Sequence, residues 1–515
     1  MYLLRSFMRR VAASTALLAV AAGSALAYPG AGPGPSTWVP PRDRPALSAT
    51  VPMAPPQAVM QLLQEAGIAP ASLGLYMRRV DQKAPFAAFN AEQPFVLAST
   101  AKVVTALAAL DLLGPSHQWR TYAYAKGELA EGRLRGDLLI VGGGNALLSS
   151  EALQRWFESL HTLGLREIEG DIVLDRFAFA LTPADHARTP LPEPWRPHHA
   201  LPDAFSLDEG LLRVDVSPLV KGRSMVHMEP QLAGVQVVNT LARGAGCMAQ
   251  AELAAGPAAA DGVGSLRLQV SGTAAPDCGV QRIAFMPLSH AEFTTRAVAA
   301  LWRHSGGRLS GRVTDRPSTG ESAVLQRDAA GAFELPFATH GSEMLPVVLR
   351  ELNKHSNNLV ARNLMLSLSP GFPLRSATLD GARTRVQQWL GTQGLAADDI
   401  EIDTGSGLSR AERGKPRAMV ELLVRAWRSP TAKLFVDSLP VAGVDGTLAN
   451  RMQTGAAAGQ AQLKTGSLLD ARTLAGYVKA RSGKVYAVAL MINHADAVRG
   501  TAALDLLIEW LAQNG

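Results

Sequence analysis

A serine followed three residues later by lysine occurs once in the chain, at Ser99 and Lys102. Residues three apart share a helix face, so the Lys102 amine can reach back to the Ser99 hydroxyl. That hydroxyl is inert at neutral pH and needs a base. Lys102 can serve only when uncharged, which means lowering its pKa by about 3 units, or roughly 4 kcal/mol. Burial, the positive end of a helix and a second nearby cation would together supply this. Two cations a few ångströms apart repel by on the order of 4 kcal/mol at intermediate dielectric.

The second cation is expected at Lys464, in the chain's only Lys-Thr-Gly, Lys464-Thr465-Gly466-Ser467. Gly466 lets a substrate backbone approach a strand edge closely. The hydroxyls of Thr465 and Ser467 beside a lysine make a corner suited to a carboxylate. The only Ser-x-Asn is Ser356-Asn357-Asn358. It supplies a hydroxyl for proton relay at Ser356 and an amide for a substrate carbonyl at Asn358. A lone Ser-x-x-Lys or Ser-x-Asn is ordinarily a helix cap. Three such motifs, each occurring once and each in a fitting context, mean more.

Those contexts come from the hydrophobic patterning. Residues 101–113 are rich in Ala and Leu, lack Gly and Pro, and end at Gly114-Pro115, which predicts a buried helix opened by Ser99. Ahead of it lie a short helix (58–66) and strands at 73–80 and 87–89. The stretch 116–333 reads as short β runs, at 136–144, 170–175 and 265–272, with one or two helices between. Helical patterns then return at 343–352, 357–366, 377–390 and 418–427. A hairpin (474–479 with 485–492) follows, carrying the strand after Lys464, and an amphipathic helix (501–512) closes the chain. That helix is expected to pack on the sheet rather than anchor in a membrane.

The three motifs are those of the penicillin-recognising serine enzymes. More narrowly, the chain resembles the class C low-molecular-mass penicillin-binding proteins, the D-alanyl-D-alanine carboxypeptidase/endopeptidase (DacB-like) family. LASTAK (97–102), GDLLIVGGGNALL (136–148), GDIVLD (170–175), GSGLSR (405–410), LPVAGVDGTLANR (439–451) and LKTGSL (463–468) carry the resemblance. It implies an α/β fold: a DD-peptidase/β-lactamase-like transpeptidase domain, an antiparallel sheet flanked by helices, at 58–115 and 334–515. A long, mainly β insertion at 116–333 would separate the first and second motifs. By the same resemblance Ser99 is the acylated nucleophile, Lys102 its base, Ser356 the proton relay and Lys464 the group tuning the field. Asn358 would hold the acyl side of the peptide, and Thr465, Gly466 and Ser467 the carboxylate side. Backbone N–H groups of Ser99 and Ser467 would form the oxyanion hole. The implied reaction is attack on the penultimate D-Ala of peptidoglycan stem peptides, with β-lactams as inhibitors and no metal or organic cofactor. A homodimer is left open. Asn357 and Asn145 stand where the family often has Asp; the first side chain is expected to point away from the reaction.

Composition narrows the alternatives. The chain has 515 residues, 47% hydrophobic and 18% charged, enough for large buried cores. Residues 1–27 pair Arg5, Arg9 and Arg10 with an apolar run and end in Ala25-Leu26-Ala27, as a signal peptide cut before Tyr28 would. Its removal lowers the formal charge from +6 to +3 and weakens any nucleic-acid reading, since no Lys/Arg run remains. Export to the periplasm is the expectation. Residues 28–57 hold nine prolines and should be an extended arm. Two cysteines, Cys247 and Cys278, suit a bridge in an exported chain, worth roughly 3–4 kcal/mol; two buried thiols are the alternative. His198, His199 and His355 lack a metal-binding partner pattern. Gly142 to Gly144 lacks the Lys-Ser/Thr of a phosphate loop, and no Gly-x-Ser-x-Gly elbow occurs. The rival functions are a β-lactamase or esterase on the same fold, and a non-catalytic cell-wall-binding protein.

Overall fold

The computed structural model describes residues 53–188, 200–218, 224–244, 246–256, 264–275, 277–316 and 334–515. The expected signal peptide, all but the last residues of the proline-rich arm, and His198-His199 lie outside them.

A five-stranded antiparallel sheet runs in the order Ala461–Leu468, Ala471–Lys479, Val485–Asn493, Leu73–Arg79, Ala87–Phe89. Early and late parts of the chain therefore share one sheet, with Leu75 opposite Leu490. Both faces of this sheet are buried. Along Val485–Asn493, Ala487, Ala489 and Met491 enter one core while Val488, Leu490 and Ile492 enter the other, as a period of two requires. Gln57–Glu65 and Thr501–Asn514 cover the second core through Val59, Leu63, Leu504, Leu507 and Leu511. The closing helix thus packs on the sheet. Among the described residues no helix is long and apolar enough to cross a membrane.

The other core holds the helix Ala101–Leu112, buried at every position from Ala101 to Leu110, together with Leu345–Lys354, Asn358–Ser367 and Pro416–Trp427. A helix apolar all round is stable only in such an interior. Its small alanines admit close neighbours, and that is what brings the second motif alongside the first.

Between these helices the chain builds further sheets. The hairpin Arg120–Ala130 and Arg133–Val141 anchors a seven-stranded sheet, and Ala338–Gly341 returns antiparallel beside Arg120–Ala130. Departure and return are therefore neighbours, and the Leu345 N–H donates to the His117 carbonyl at 2.9 Å. Ser150–Thr162 and His290–His304 cover the sheet with Leu153, Phe157, Phe293 and Trp302. Two three-stranded sheets follow, one joining Cys247–Ala255 to Leu266–Ala274. Cys247 and Cys278 form a disulfide. The strand expected at 136–144 instead spans Arg133–Val141, because the polar residues Arg133 and Arg135 alternate with buried Leu134 and continue the hairpin. Gly142 to Gly144 are not themselves the expected turn: Gly142 N–H donates to the Asp175 carbonyl and Gly144 N–H to the Ala204 carbonyl, and the chain turns at Ala146-Leu147.

Candidate active site

Ser99 is half-buried in the short 3-10 turn Ala98–Thr100, and Lys102 lies in the first turn of the helix Ala101–Leu112. The Ser99 hydroxyl thus stands just ahead of the α-helix rather than within it. Ala98 takes a left-handed backbone conformation, φ 46°, unusual for a residue with a Cβ. Strain of this kind collects at functional sites.

Lys102 is fully buried, and its Nζ has three oxygen neighbours. Ser99 Oγ is at 3.0 Å, Asn358 Oδ1 at 2.6 Å and the Ser406 carbonyl at 2.5 Å. The carbonyl oxygens of Asn358 and Ser406 can only accept, so each takes one N–H. A neutral amine has only those two hydrogens. Its lone pair is left for the third direction, toward the Ser99 hydroxyl. Burial pushes the amine down to about 7, against an upward pull from Glu412. A free amine near neutral pH is therefore built into the site.

Lys464 is also fully buried. Its Nζ donates to Ser356 Oγ at 2.9 Å and to the Thr465 carbonyl at 2.7 Å. Burial first, and then the charge of Lys102, hold it well below the usual lysine range. Sequence reasoning assigned the lowering of Lys102 to burial, the helix end and a second cation together. The structure shifts the emphasis: burial lowers Lys102, and the repulsion is felt at Lys464.

Ser356 occupies the turn between two helices with φ 56°. Asn357 caps the second helix, its Oδ1 accepting from the Val360 N–H at 3.1 Å, while its Nδ2 donates to Glu209 at 3.0 Å. It points away from Lys102, and Asn358, at the first helical position, points toward it. Asn145 accepts from the Leu147 N–H and shapes the turn after Gly144. His355 is exposed beside Glu351.

The strand Ala461–Leu468 brings the third motif to the first. A Cβ on Gly466 would lie 2.9 Å from the Ser99 nitrogen and 2.1 Å from Thr473 Oγ1, so only glycine fits. This approach sets the N–H groups of Ser99 and Ser467 on the two chain segments that meet there. Thr465 Oγ1 donates to Thr447 Oγ1 at 2.8 Å. Ser467 is exposed opposite Arg472.

Several residues here have no motif signature. Thr447 is held by the loop whose Asp445 pairs with Lys354 at 2.6 Å. Glu412 and Ser406 belong to a loop packed behind Lys102. The quoted stretches GSGLSR and LPVAGVDGTLANR contain Ser406 and Thr447, and Glu412 lies two residues beyond GSGLSR, so resemblance pointed near them without giving a role.

Residues 56–514 match the sequence profile of the D-Ala-D-Ala carboxypeptidase 3 (S13) family. A D-alanyl-D-alanine carboxypeptidase of Actinomadura sp. is 31% identical over 412 residues, covering 75% of this chain and 71% of that protein. The crystal structure of penicillin binding protein 4 (dacB) from Haemophilus influenzae superposes with TM-score 0.68 at 23% identity, over 88% of this chain and 99% of that one. The same protein complexed with a novel β-lactam gives 0.64 at 22% identity, with the same coverage. At these identities the two structures speak for the fold: α/β, of the DD-peptidase type.

Proposed function

The chain belongs to the D-Ala-D-Ala carboxypeptidase 3 (S13) family, and from that premise we propose a serine DD-peptidase reaction carried by Ser99 and Lys102. The protein is a serine hydrolase acting on the D-alanyl-D-alanine peptides of peptidoglycan. One observation supports the residue roles above the others: the buried Lys102 Nζ lies within hydrogen-bond distance of Ser99 Oγ and of two carbonyl oxygens, which can only accept, so that a neutral amine has its lone pair left for Ser99.

In this reading Lys102 takes the Ser99 proton as Oγ attacks the penultimate D-Ala carbonyl. The N–H groups of Ser99 and Ser467 hold the oxyanion, charge that develops only as the bond forms. Ser356, hydrogen-bonded to Lys464, passes a proton to the departing amine, and water then cleaves the ester at Ser99. Thr465 and Ser467 receive the terminal carboxylate, Gly466, expected on that side too, instead lets the strand close on the Ser99 turn, and Asn358 flanks the acyl side. Cross-linked D-Ala-diamino-acid peptides would be cut by the same steps. We place the enzyme in the periplasm, with residues 58–115 and 334–515 as catalytic domain and 116–333 as insertion. The β-lactam complex of the Haemophilus protein supports β-lactam binding here, and the reaction proposed would have penicillin acylate Ser99.

The test is mass spectrometry of penicillin-treated protein with peptide mapping, beside D-Ala release from a pentapeptide. An adduct on Ser99 lasting many minutes, and loss of both activities in Ser99→Ala, are expected. Retained D-Ala release in that variant would refute the assignment, and an adduct hydrolysed within seconds would favour a β-lactamase.

A further inference from the structure

Glu412 is fully buried behind the reacting groups and takes no part in the steps above. Its Oε1 accepts from the N–H groups of Thr404 at 3.0 Å and Gly405 at 2.6 Å, and its Oε2 from Gly407 at 2.6 Å. Within that span Ser406 turns its carbonyl onto Lys102 Nζ. The Gly405 carbonyl accepts from Thr105 Oγ1, one turn along the nucleophile helix, at 2.8 Å. Gly407, φ 87°, is so close to the nucleophile turn that a Cβ would lie 1.9 Å from the Ala98 carbonyl oxygen. The backbone carbonyl of Glu412 accepts from the Leu97 N–H at 2.9 Å. One carboxylate therefore gathers the loop that presses on Ala98 and supplies one of the two acceptors of Lys102.

A neutral acceptor would anchor such a loop at less desolvation cost than a carboxylate, so the charge calls for a role of its own. The charged groups around it are few. Lys102 faces it from the nucleophile helix, Arg362 from the helix Asn358–Ser367 and Asp403 from its own loop, with Lys464 beyond Lys102. Burial pushes the Glu412 carboxyl up to about 7 and Asp403 adds to this, while the Gly405 and Gly407 N–H groups and Lys102 pull it down.

We propose that Glu412 is a positioning residue for Lys102, fixing the Ser406 carbonyl against Nζ and setting by its charge how tightly the amine holds a proton. The proposal rests on Lys102 being the base for Ser99. Removing the carboxylate takes away a negative charge that favours the ammonium form, so the amine would become neutral at lower pH. It also leaves inward-pointing N–H groups without an acceptor, and Ser406 would drift.

The experiment follows acylation by benzylpenicillin across pH in the full chain, its Glu412→Gln and Glu412→Asp variants, with thermal unfolding of each. In Glu412→Gln the plateau rate should fall about 100-fold, the usual cost of a small misplacement. Its acid limb should move down by about one pH unit. Glu412→Asp keeps the charge, so its acid limb should stay in place and part of the rate return. Wild-type rate and limb in Glu412→Gln would overturn the proposal. So would a slower but folded Glu412→Gln with an unmoved limb, which is what a purely structural anchor gives. Should Glu412→Gln not fold, the carboxyl resonance of Glu412 in the wild type decides. A carboxyl ionised across the acylation limb supports the proposal, and one still protonated above pH 8, with no charge to act on the amine, overturns it. The wild-type adduct site is mapped first, because an adduct away from Ser99 would refute the reading of the site, separately from this inference.

Discussion

Two regions of the molecule bury cations in opposite ways. Between the first and second motifs Arg176 donates to Asp203 at 2.7 Å, to Asp315 at 3.0 Å, to the Phe205 carbonyl at 2.9 Å and to Thr294 Oγ1. Burial alone would lower its pKa, yet the two carboxylates hold it above the usual value. Asp203 likewise stays below its usual range in spite of burial, through Arg176 and His290. At the active site the hydrogen-bond partners of Lys102 and Lys464 are all neutral oxygens. Both amines are driven down. A compensated buried charge holds segments together, whereas an uncompensated one gives up its proton and becomes a reagent.

Substitution should separate the two behaviours. Lys102→Ala is expected to abolish penicillin acylation, with a loss of roughly 10⁴-fold or more, while the protein remains folded by circular dichroism. An unfolded variant would mean that Lys102 is structural, as Arg176 is. Arg176→Met should do the reverse. Removing one partner strands Asp203 and Asp315 and should cost about 3–5 kcal/mol in denaturant unfolding, with the acylation rate of the folded protein unchanged. A variant of undiminished stability would show that the ion pairs contribute nothing net. Replacing both Cys247 and Cys278 by Ser should cost roughly 3–4 kcal/mol, again without altering acylation, since the bridge lies at the sheet of Cys247–Ala255 and Leu266–Ala274.

How legible each region was in the sequence follows the same division. Ser99 and Lys102 are three apart, so one turn brings them together and local pattern suffices. The helix expected at 101–113 and the strands at 73–80 and 485–492 lie within one or two residues of those observed, because each carries an uninterrupted buried pattern. Ser356 and Lys464 were found only because short motifs mark them. Glu412, Thr447 and Glu209 carry no such mark. Their partners are Thr404, Gly405 and Gly407, Thr465, and Asn357, several reached through backbone groups that any residue possesses. The left-handed Ala98 was equally invisible, since the loop at Gly407 that lies against it comes more than 300 residues later. The Arg176 network joins residues 27 and 139 positions apart, and charge alone did not single it out.

The pH dependence has a definite sign. Lys102 is free to accept a proton only above its lowered pKa, so acylation of Ser99 should rise through about pH 7 to a plateau. The folded amine also binds its proton less tightly than the unfolded one. Its burden on stability is therefore full below about pH 7 and is relieved as pH rises toward 10.5.

The most direct measurement is the titration of Lys102 itself, followed through its side-chain ¹³Cε resonance in lysine-labelled protein and assigned with Lys102→Arg. A midpoint near 7 that coincides with the acid limb of Ser99 acylation is the expected result. A Lys102 resonance still protonated at pH 9, in protein that penicillin acylates fully at pH 7.5, would contradict the neutral-amine mechanism.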